Sequence, residues 1–205
     1  IKSGPVIFLG NEFFDSIPIK QFKRNNNQFF EKYYFLDKFD TIKHGYTKAS
    51  FKDSQNLKKY QSLKKSNFIE FPKMGFRMLE SIIQKIYVNS GGILLIDYGY
   101  TNSLNKNTIQ SLIKHKKNEV FKNIGKADIT YLVNFKLLKD FFENKKLKNT
   151  NIVSQGFFLK KLGIRERANQ LSKKPLDVTF HHSSHSQSKT LRLFHIFLLF
   201  PYPSC

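Results

Sequence analysis

The 205-residue sequence contains one cysteine, no tryptophan and only 15 acidic side chains against 35 lysines and arginines. The single thiol, Cys205, has no partner within the chain, so a small domain stapled by internal disulfides is excluded. No apolar run reaches the roughly 18 residues that a membrane-spanning helix needs, and the longest, near residues 191–200, is interrupted by Arg192 and His195. A hydrophobic fraction of 40% still suffices for a core, which excludes a wholly disordered chain.

The shortage of acidic residues leaves a formal net charge of +20. Such a charge suggests a nucleic-acid or anionic-membrane partner, because clustered cations gain affinity by releasing counterions from phosphates. The lysines are spread over nearly every segment, however, and their local clusters lack the spacing of an RNA-recognition motif or a helix-turn-helix. The favoured interpretation is therefore that most lysines are solvated and form no dedicated nucleic-acid-binding face. We expect neither a nucleic-acid partner nor a membrane span.

Two continuous apolar runs predict parallel strands of an α/β sheet. The first, Pro5 to Leu9, lies between glycines, and the second, Ile93 to Ile96, follows Gly91 and Gly92. Such runs are typical of strands buried on both faces, and we expect the first to be a central strand. Between them, apolar residues at helical spacing after Pro72 predict a helix that stops at residues 89–92. Its predicted buried face consists of Met74, Met78, Leu79, Ile82, Ile83 and Ile86.

The remaining elements follow from shorter patterns. Residues 19–23 and 29–35 flank three asparagines and predict a hairpin, whereas residues 37–66 predict a surface connection with at most a strand or two. Strands are predicted within 128–135 and 151–153, and two short helices broken at Gly163 within 156–171. The helix between those strands should bury Leu137, Leu138, Phe141 and Phe142.

The residues most suited to chemistry directly follow the first predicted strand. Ligands of open α/β sheets bind beyond the carboxyl ends of the strands, which is where Asn11, Glu12 and Asp15 fall. Carboxylates there favour a cationic substrate, above all a guanidinium, and Phe13 and Phe14 could wall the pocket. A capped strand-to-helix turn with core phenylalanines explains the same pattern equally well. Asp97 and Tyr98, at the end of the second strand, would line the same crevice or simply cap the strand.

The segment Asn11-Glu12-Phe13-Phe14-Asp15-Ser16-Ile17-Pro18, followed by Gln21-Phe22, resembles the signature of the MidA-like family of class I S-adenosylmethionine-dependent methyltransferases. Three later blocks agree in order: residues 92–99, residues 125–135 and residues 155–167. That family includes a mitochondrial complex I assembly factor that acts as a protein arginine methyltransferase. The resemblance covers roughly residues 4–171.

The resemblance implies a fold, an activity and partners. The fold would be the C-terminal part of a Rossmann-like class I methyltransferase sheet, mostly parallel with an antiparallel last strand and an inserted hairpin. The activity would be methyl transfer from S-adenosylmethionine to an arginine of a protein, with a complex I subunit as the candidate substrate. Asn11, Glu12 and Asp15 would be the catalytic residues, and Phe13, Phe14, Asp97 and Tyr98 would bind the substrate. The abundance of Lys, Asn, Ile and Phe is what AT-rich codons would produce. This bias favours a bacterial cytoplasm, with the mitochondrial matrix as the alternative.

Two departures from the family are expected to matter. No Gly-x-Gly-x-x-Gly loop occurs, so the donor-binding motif is absent from this chain. Together with Ile1 and an apolar run within a few residues of it, this predicts an N-terminally truncated methyltransferase domain over residues 1–173. We expect the chain alone to be inactive, to bind S-adenosylmethionine poorly and to be poorly soluble, because an open sheet edge templates aggregation. The alternative is a non-catalytic remnant or a basic module that binds nucleic acid or lipid.

Residues 174–205 do not resemble the family's closing segment and are predicted to be a divergent tail, disordered or frame-shifted. His181, His182 and His185 lie in it at a spacing that could bind a transition metal. No cysteine or acidic residue is near them, so no metal site is predicted.

Overall fold

The computed structural model of the chain describes residues 4–149, 152–172 and 193–201, which form a mixed α/β fold. The helices are α1 (Phe51–Lys58), α2 (Lys73–Asn89), α3 (Phe135–Asn144), α4 (Gln155–Lys161) and α5 (Ile164–Leu171), with a 3-10 turn over Gln61–Leu63. The strands are β1 (Val6–Asn11), β2 (Lys20–Asn25), β3 (Gln28–Leu36), β4 (Ile42–Lys48), β5 (Phe68–Phe71), β6 (Gly91–Tyr100), β7 (Gln110–Ile113), β8 (Lys116–Asn118), β9 (Asp128–Thr130), β10 (Val133–Asn134), β11 (Leu147–Asn149), β12 (Val153–Ser154) and β13 (Leu193–Pro201).

The main sheet is built around β6. Its order is β1-β6-β13-β11, with β10 also paired to β6 and β12 to β13. Strands β1 and β10 run parallel to β6, and β13 runs antiparallel to it. The predicted α/β sheet with parallel neighbours and an antiparallel last strand is thereby confirmed. Gly91 begins β6 with a φ of 123°, and a side chain there would overlap the carbonyl of Val6.

Strand β1 differs from the prediction of a central strand buried on both faces. Among the described residues it pairs only with β6, so it forms one edge of the sheet. Ile7 and Leu9 are 68% and 66% exposed, whereas Val6 and Phe8, on the opposite face, pack against the core. The apolar run correctly indicated a strand, but burial of a strand depends on which neighbours are present, and no local pattern contains that information.

Helix α2 covers one face of β1 and β6. Leu79, Ile83 and Ile86 are buried as predicted, whereas Met74 and Met78 are exposed and Ile82 is partly buried. The apolar stripe is therefore narrower than the six residues predicted for it, as expected for a helix that faces a single layer. Helix α3 buries Leu137, Leu138, Phe141 and Phe142 as predicted. The two helices meet where Phe76 stacks on Phe141, with ring centroids 4.3 Å apart.

A second sheet, in the order β4-β3-β2-β5, follows β1 in the chain. The predicted hairpin is its β2–β3 pair, and Asn26 and Asn27 make the turn with positive φ angles of 44° and 62°. Residues 37–66 contain β4 but also α1, which was not predicted. That helix is mostly polar, and it is fixed by the Ser50 cap and by ion pairs of Asp53 with two lysines.

The later elements agree in part with their predictions. The predicted strand at 128–135 is split into β9 and β10, and Phe135 already begins α3. Val153 lies in β12, while residue 151 falls outside the described residues. Helices α4 and α5 are separated at Gly163, with φ at 80°, as predicted.

The predicted tail is described only in part. Leu193–Pro201 forms a strand of the main sheet, antiparallel to β6. The divergent character of residues 174–205 stays a prediction. The histidines considered for a metal, residues 181–185, lie outside the described residues. Within the described residues, no three His, Cys, Asp or Glu side chains are grouped for a metal ion, and no helix has the length and apolar character to cross a bilayer.

Candidate active site

The ends of β1 and β6 bring the predicted site residues together. The two strands are parallel and in register, with Asn11 opposite Ile96. The chain then bends sharply at Glu12, which has a φ of 47° and donates its backbone N–H to the carbonyl of Ile96 at 2.9 Å. Asp97 is the next residue of β6, so the carboxyl ends of both strands deliver acidic residues to one edge of the sheet.

Asp97 fixes the bend that follows β1. Its Oδ2 accepts hydrogen bonds from the backbone N–H groups of Phe14 at 2.8 Å and Asp15 at 3.3 Å. Its Oδ1 accepts one from the N–H of Tyr98 at 2.8 Å. One carboxyl group therefore satisfies three backbone donors that the turn would otherwise leave without partners in a buried place.

Burial and neighbouring charges raise the pKa of both Asp97 and Asp15. Burial and then the nearby charge of Asp15 raise the pKa of Asp97 to about 7, although the three backbone donors oppose that rise. Burial and then the charge of Glu12 also raise the pKa of Asp15. A cation placed between these acids would relieve their repulsion, so the bend suits a positively charged ligand.

The other predicted residues occupy distinct positions around this pair. Asn11 and Glu12 are exposed at the rim, and Tyr98 is half-buried. Phe14 is fully buried against α2, where its ring lies so close to Gly75 that an added Cβ would be 2.8 Å away. Phe13 is partly buried and meets the Phe14 ring edge-on, with centroids 5.9 Å apart. Phe14 thus supports the bend from beneath, while Phe13 is the phenylalanine nearer to solvent.

Sequence patterns did not reveal Tyr131, which packs directly under the bend. Its backbone N–H donates to the carbonyl of Asp15 at 3.0 Å. Its hydroxyl is buried and has no hydrogen-bond partner among the described residues. Burial, followed by the charges of Asp97, Glu70 and Asp15, raises the pKa of Tyr131, so this hydroxyl stays protonated.

Glu70 is a second acidic group that sequence patterns did not reveal. It is buried in β5 and accepts hydrogen bonds from the side-chain amide of Gln21 and the backbone N–H of Thr108, each at 2.9 Å. The hydroxyl of Thr108 also donates to the Glu70 carboxylate. The Thr108 hydroxyl oxygen in turn accepts a hydrogen bond from the backbone N–H of Leu132. Glu70 thus anchors the loop at 108 to the second sheet. Of the residues that contact Glu70, Gln21 alone belongs to the segment that resembles the family signature.

A cavity of about 650 Å³ lies away from this bend, between α1, α2 and α3. Its rim includes Lys52, Lys73, Arg77 and Lys145, and its floor is formed by buried aromatic rings such as Phe76. Positive side chains repel a guanidinium, so this cavity does not suit a cationic acceptor in spite of its size.

Parallel strands with polar side chains toward their carboxyl ends are the arrangement of a Rossmann-like α/β fold that binds its ligand at that edge. The family described as "Putative S-adenosyl-L-methionine-dependent methyltransferase" matches residues 1–153. The chain therefore belongs to this family of methyltransferases, for which S-adenosylmethionine is the methyl donor.

Several curated proteins are similar over most of the chain. The mitochondrial protein arginine methyltransferase NDUFAF7 homolog of Caenorhabditis elegans is 29% identical over 175 residues, which are 83% of this chain and 40% of that protein. The human protein arginine methyltransferase NDUFAF7 is 25% identical over 167 residues, which are 82% of this chain and 37% of that protein. The chain thus spans about two fifths of the length of these relatives.

Solved structures support the fold. The crystal structure of a Burkholderia thailandensis protein bound to S-adenosyl-homocysteine superimposes with a TM-score of 0.72 at 16% identity. The match covers 98% of this chain and 54% of that protein. A native crystal structure of a protein from the same organism gives a TM-score of 0.73.

The described residues do not fit a complete site for the methyl donor. A donor site of this fold class needs a glycine-rich loop between a strand and a helix. The described glycines with positive φ angles are Gly4, Gly91, Gly125 and Gly163, and Gly91 opens a strand instead of a helix. Of the described parallel strands of substantial length, β1 is followed by the acidic bend and β6 runs on past Asp97 to Tyr100, so neither leads into a glycine-rich loop and a helix.

Proposed function

We propose that this chain forms the acceptor side of a protein arginine N-methyltransferase. The observation that carries the proposal is the pair of neighbouring carboxyl groups of Asp15, in the bend after β1, and Asp97, near the carboxyl end of the adjacent parallel strand β6. A guanidinium is planar and delocalised and presents donors in a fixed fork, which suits a rim of carboxylate and amide oxygens better than a compact ammonium does.

Each rim residue has a separate task in this proposal. Asp15 accepts hydrogen bonds from the guanidinium, and its raised pKa makes it a better acceptor for the proton that the nitrogen releases on methylation. Glu12 and the amide oxygen of Asn11 hold the exposed end of the group. Phe13 shields that end from water, and Asp97 and Phe14 position the bend. Tyr98 lines the crevice at the end of β6.

The relatives support the choice of substrate and compartment. They are named mitochondrial protein arginine methyltransferases, which favours a protein substrate and the mitochondrial matrix over a bacterial cytoplasm. A subunit of respiratory complex I is the substrate that the family resemblance suggests. Because the chain spans about two fifths of these relatives, we further propose that it acts only together with a donor-binding part and is inactive alone.

The test is a methyl-transfer assay on the natural polypeptide that contains this chain. With labelled S-adenosylmethionine and two peptides that differ only by arginine or lysine at one position, label should enter the arginine peptide. Mass spectrometry of the hydrolysed product should show methylarginine. Transfer to the lysine peptide alone would refute the proposed acceptor, and the isolated 205-residue chain should transfer no label to either peptide.

A further inference from the structure

The β3–β4 hairpin extends beyond the sheet to which it belongs. Strand β2 pairs with β3 only as far as Glu31, whereas β3 and β4 remain paired from Phe30–Lys48 to Leu36–Ile42. Residues 32–46 therefore form a two-stranded arm with no third strand among the described residues.

The arm exposes apolar side chains on both faces and at its tip. Tyr33 and Phe35 lie on one face, with ring centroids 5.8 Å apart, and Tyr34, Leu36, Ile42 and Tyr46 share the other. All six are exposed. Phe39, in the turn between the strands, is 75% exposed. The Tyr34 face packs in part on the chain itself, because the rings of Tyr34 and Phe121 meet edge-on with centroids 4.7 Å apart. Tyr33, Phe35 and the tip are typical of a surface that meets another phase or partner.

Cationic side chains accompany these rings. The ammonium groups of Lys32 and Lys38 lie 4.8 and 5.0 Å from the ring centroids of Tyr34 and Phe39. Two acidic residues, Asp37 and Asp40, sit near the tip, and Asp37 accepts the backbone N–H groups of Phe39 and Thr41, so it serves the turn. The arm has three lysines against these two acids, while the whole chain carries +20. Tyrosines, lysines and an apolar tip are the residue types that settle at a membrane interface.

We propose that the arm anchors the protein to an anionic lipid bilayer by inserting its tip into the headgroup and acyl boundary. The apolar side chains most exposed on the arm are Leu36 at 62% and Phe39 at 75%, and both lie at its tip. An apolar tip suits insertion into lipid better than a flat contact of one face with a protein partner. The chain's net charge of +20 would draw it to the surface, and Leu36 and Phe39 would enter the apolar boundary.

The absence of tryptophan makes insertion directly measurable. Phe39→Trp places a single tryptophan at the tip. Phe51→Trp places one at the start of α1, beyond the base of the arm, at a position that is 78% exposed. With vesicles of phosphatidylcholine and phosphatidylglycerol, the emission of the first variant should shift to the blue and that of the second should stay unchanged. Equal shifts in both variants, or none in either, would overturn the proposal.

A sedimentation assay with vesicles tests how much the net charge and the apolar tip each contribute to membrane affinity. The full chain should sediment with the anionic vesicles more than with pure phosphatidylcholine, and added salt should weaken this binding. Leu36→Ser combined with Phe39→Ser should lower binding at least about tenfold, because two such side chains then no longer leave water.

Phe51→Ser combined with Val88→Ser is the matched control for this assay, since both side chains are exposed but lie outside the arm. This control should bind like the unaltered chain, and the urea midpoints of both double variants should match its midpoint. Equal binding by the arm variant would overturn the proposal. Loss of a dimer on light scattering, without vesicle binding by the unaltered chain, would assign the arm to a second copy instead.

Discussion

Asp15→Asn is expected to lower kcat/KM for an arginine peptide by about 10- to 150-fold in the natural polypeptide, because a hydrogen bond to a charged group is worth about 1.5 to 3 kcal/mol. Asparagine preserves the size of the side chain and removes the charge that would meet the guanidinium. The backbone N–H of Asp15, which donates to Asp97, is unaffected. The measurement is the initial rate of methyl transfer as a function of peptide concentration.

The matched control for this variant is Asp40→Asn. Asp40 is exposed in the β3–β4 turn, and its φ of 54° is one that asparagine also tolerates. The Asp40→Asn substitution also removes one negative charge, but at a position outside the bend. Its kcat/KM in a lipid-free assay should therefore equal that of the unaltered protein. An unchanged kcat/KM for Asp15→Asn, with the same thermal stability as the unaltered protein, would remove Asp15 from the acceptor site.

Asp97→Ala is expected to destabilise the fold by about 2 to 4 kcal/mol, since three backbone N–H groups would lose their buried acceptor. Asp97→Asn should cost less, because one oxygen remains to accept from the donors of Phe14 and Asp15. Urea denaturation followed by circular dichroism measures both values. Asp128→Ala, an exposed aspartate in β9, provides the control and should leave the midpoint unchanged.

The pH dependence of the free energy of unfolding shows whether the Asp97 carboxyl group titrates in the folded chain or only fills space there. Burial raises the pKa of Asp97 to about 7 in the folded chain, above its ordinary value of 3.8. The folded state therefore binds more protons between these values, and the contribution of Asp97 to stability should fall as the pH rises from about 4 to about 7. Asp97→Asn should abolish that part of the decline. A decline of equal size in both proteins would show that Asp97 does not titrate in this range.

Elements with a strong local pattern could be predicted from the sequence. The β2–β3 turn was predictable because consecutive asparagines tolerate positive φ angles, and the buried face of α3 because its four apolar residues repeat at helical spacing. The parallel pairing of β1 and β6 followed from two apolar runs separated by a helix.

The missed features depend on contacts between residues distant in the chain. Helix α1 has little apolar pattern, and Asp53 within it is held by Lys20 at 3.1 Å and by Lys73 at 2.6 Å. The position of Tyr131 beneath Asp15 is set by the packing of the loop before β10 and has no motif of its own. The exposure of Ile7 was equally hidden, because the same apolar run suits a buried or an edge strand.

The candidate site was predictable as a location and only partly as a mechanism. The rule that ligands bind beyond the carboxyl ends of parallel strands placed Asn11 and Asp97 at one edge, which the register of β1 and β6 confirms. The sequence did not show that the carboxylate oxygens of Asp97 accept hydrogen bonds from backbone N–H groups. It also did not decide between a pocket wall and the core for Phe14, which the structure buries. Those roles depend on the φ angle at Glu12, which turns the chain back over β6.

The most direct measurement is a backbone-amide NMR titration of the chain with an acetylated, amidated arginine peptide, and with the matching lysine peptide as reference. The arginine peptide should shift the amides of residues 11–15 and of Asp97 and Tyr98, and Asp15→Asn should remove those shifts. Shifts confined to the basic cavity around Lys52 and Arg77, or identical responses to both peptides, would contradict an acceptor site at the acidic bend.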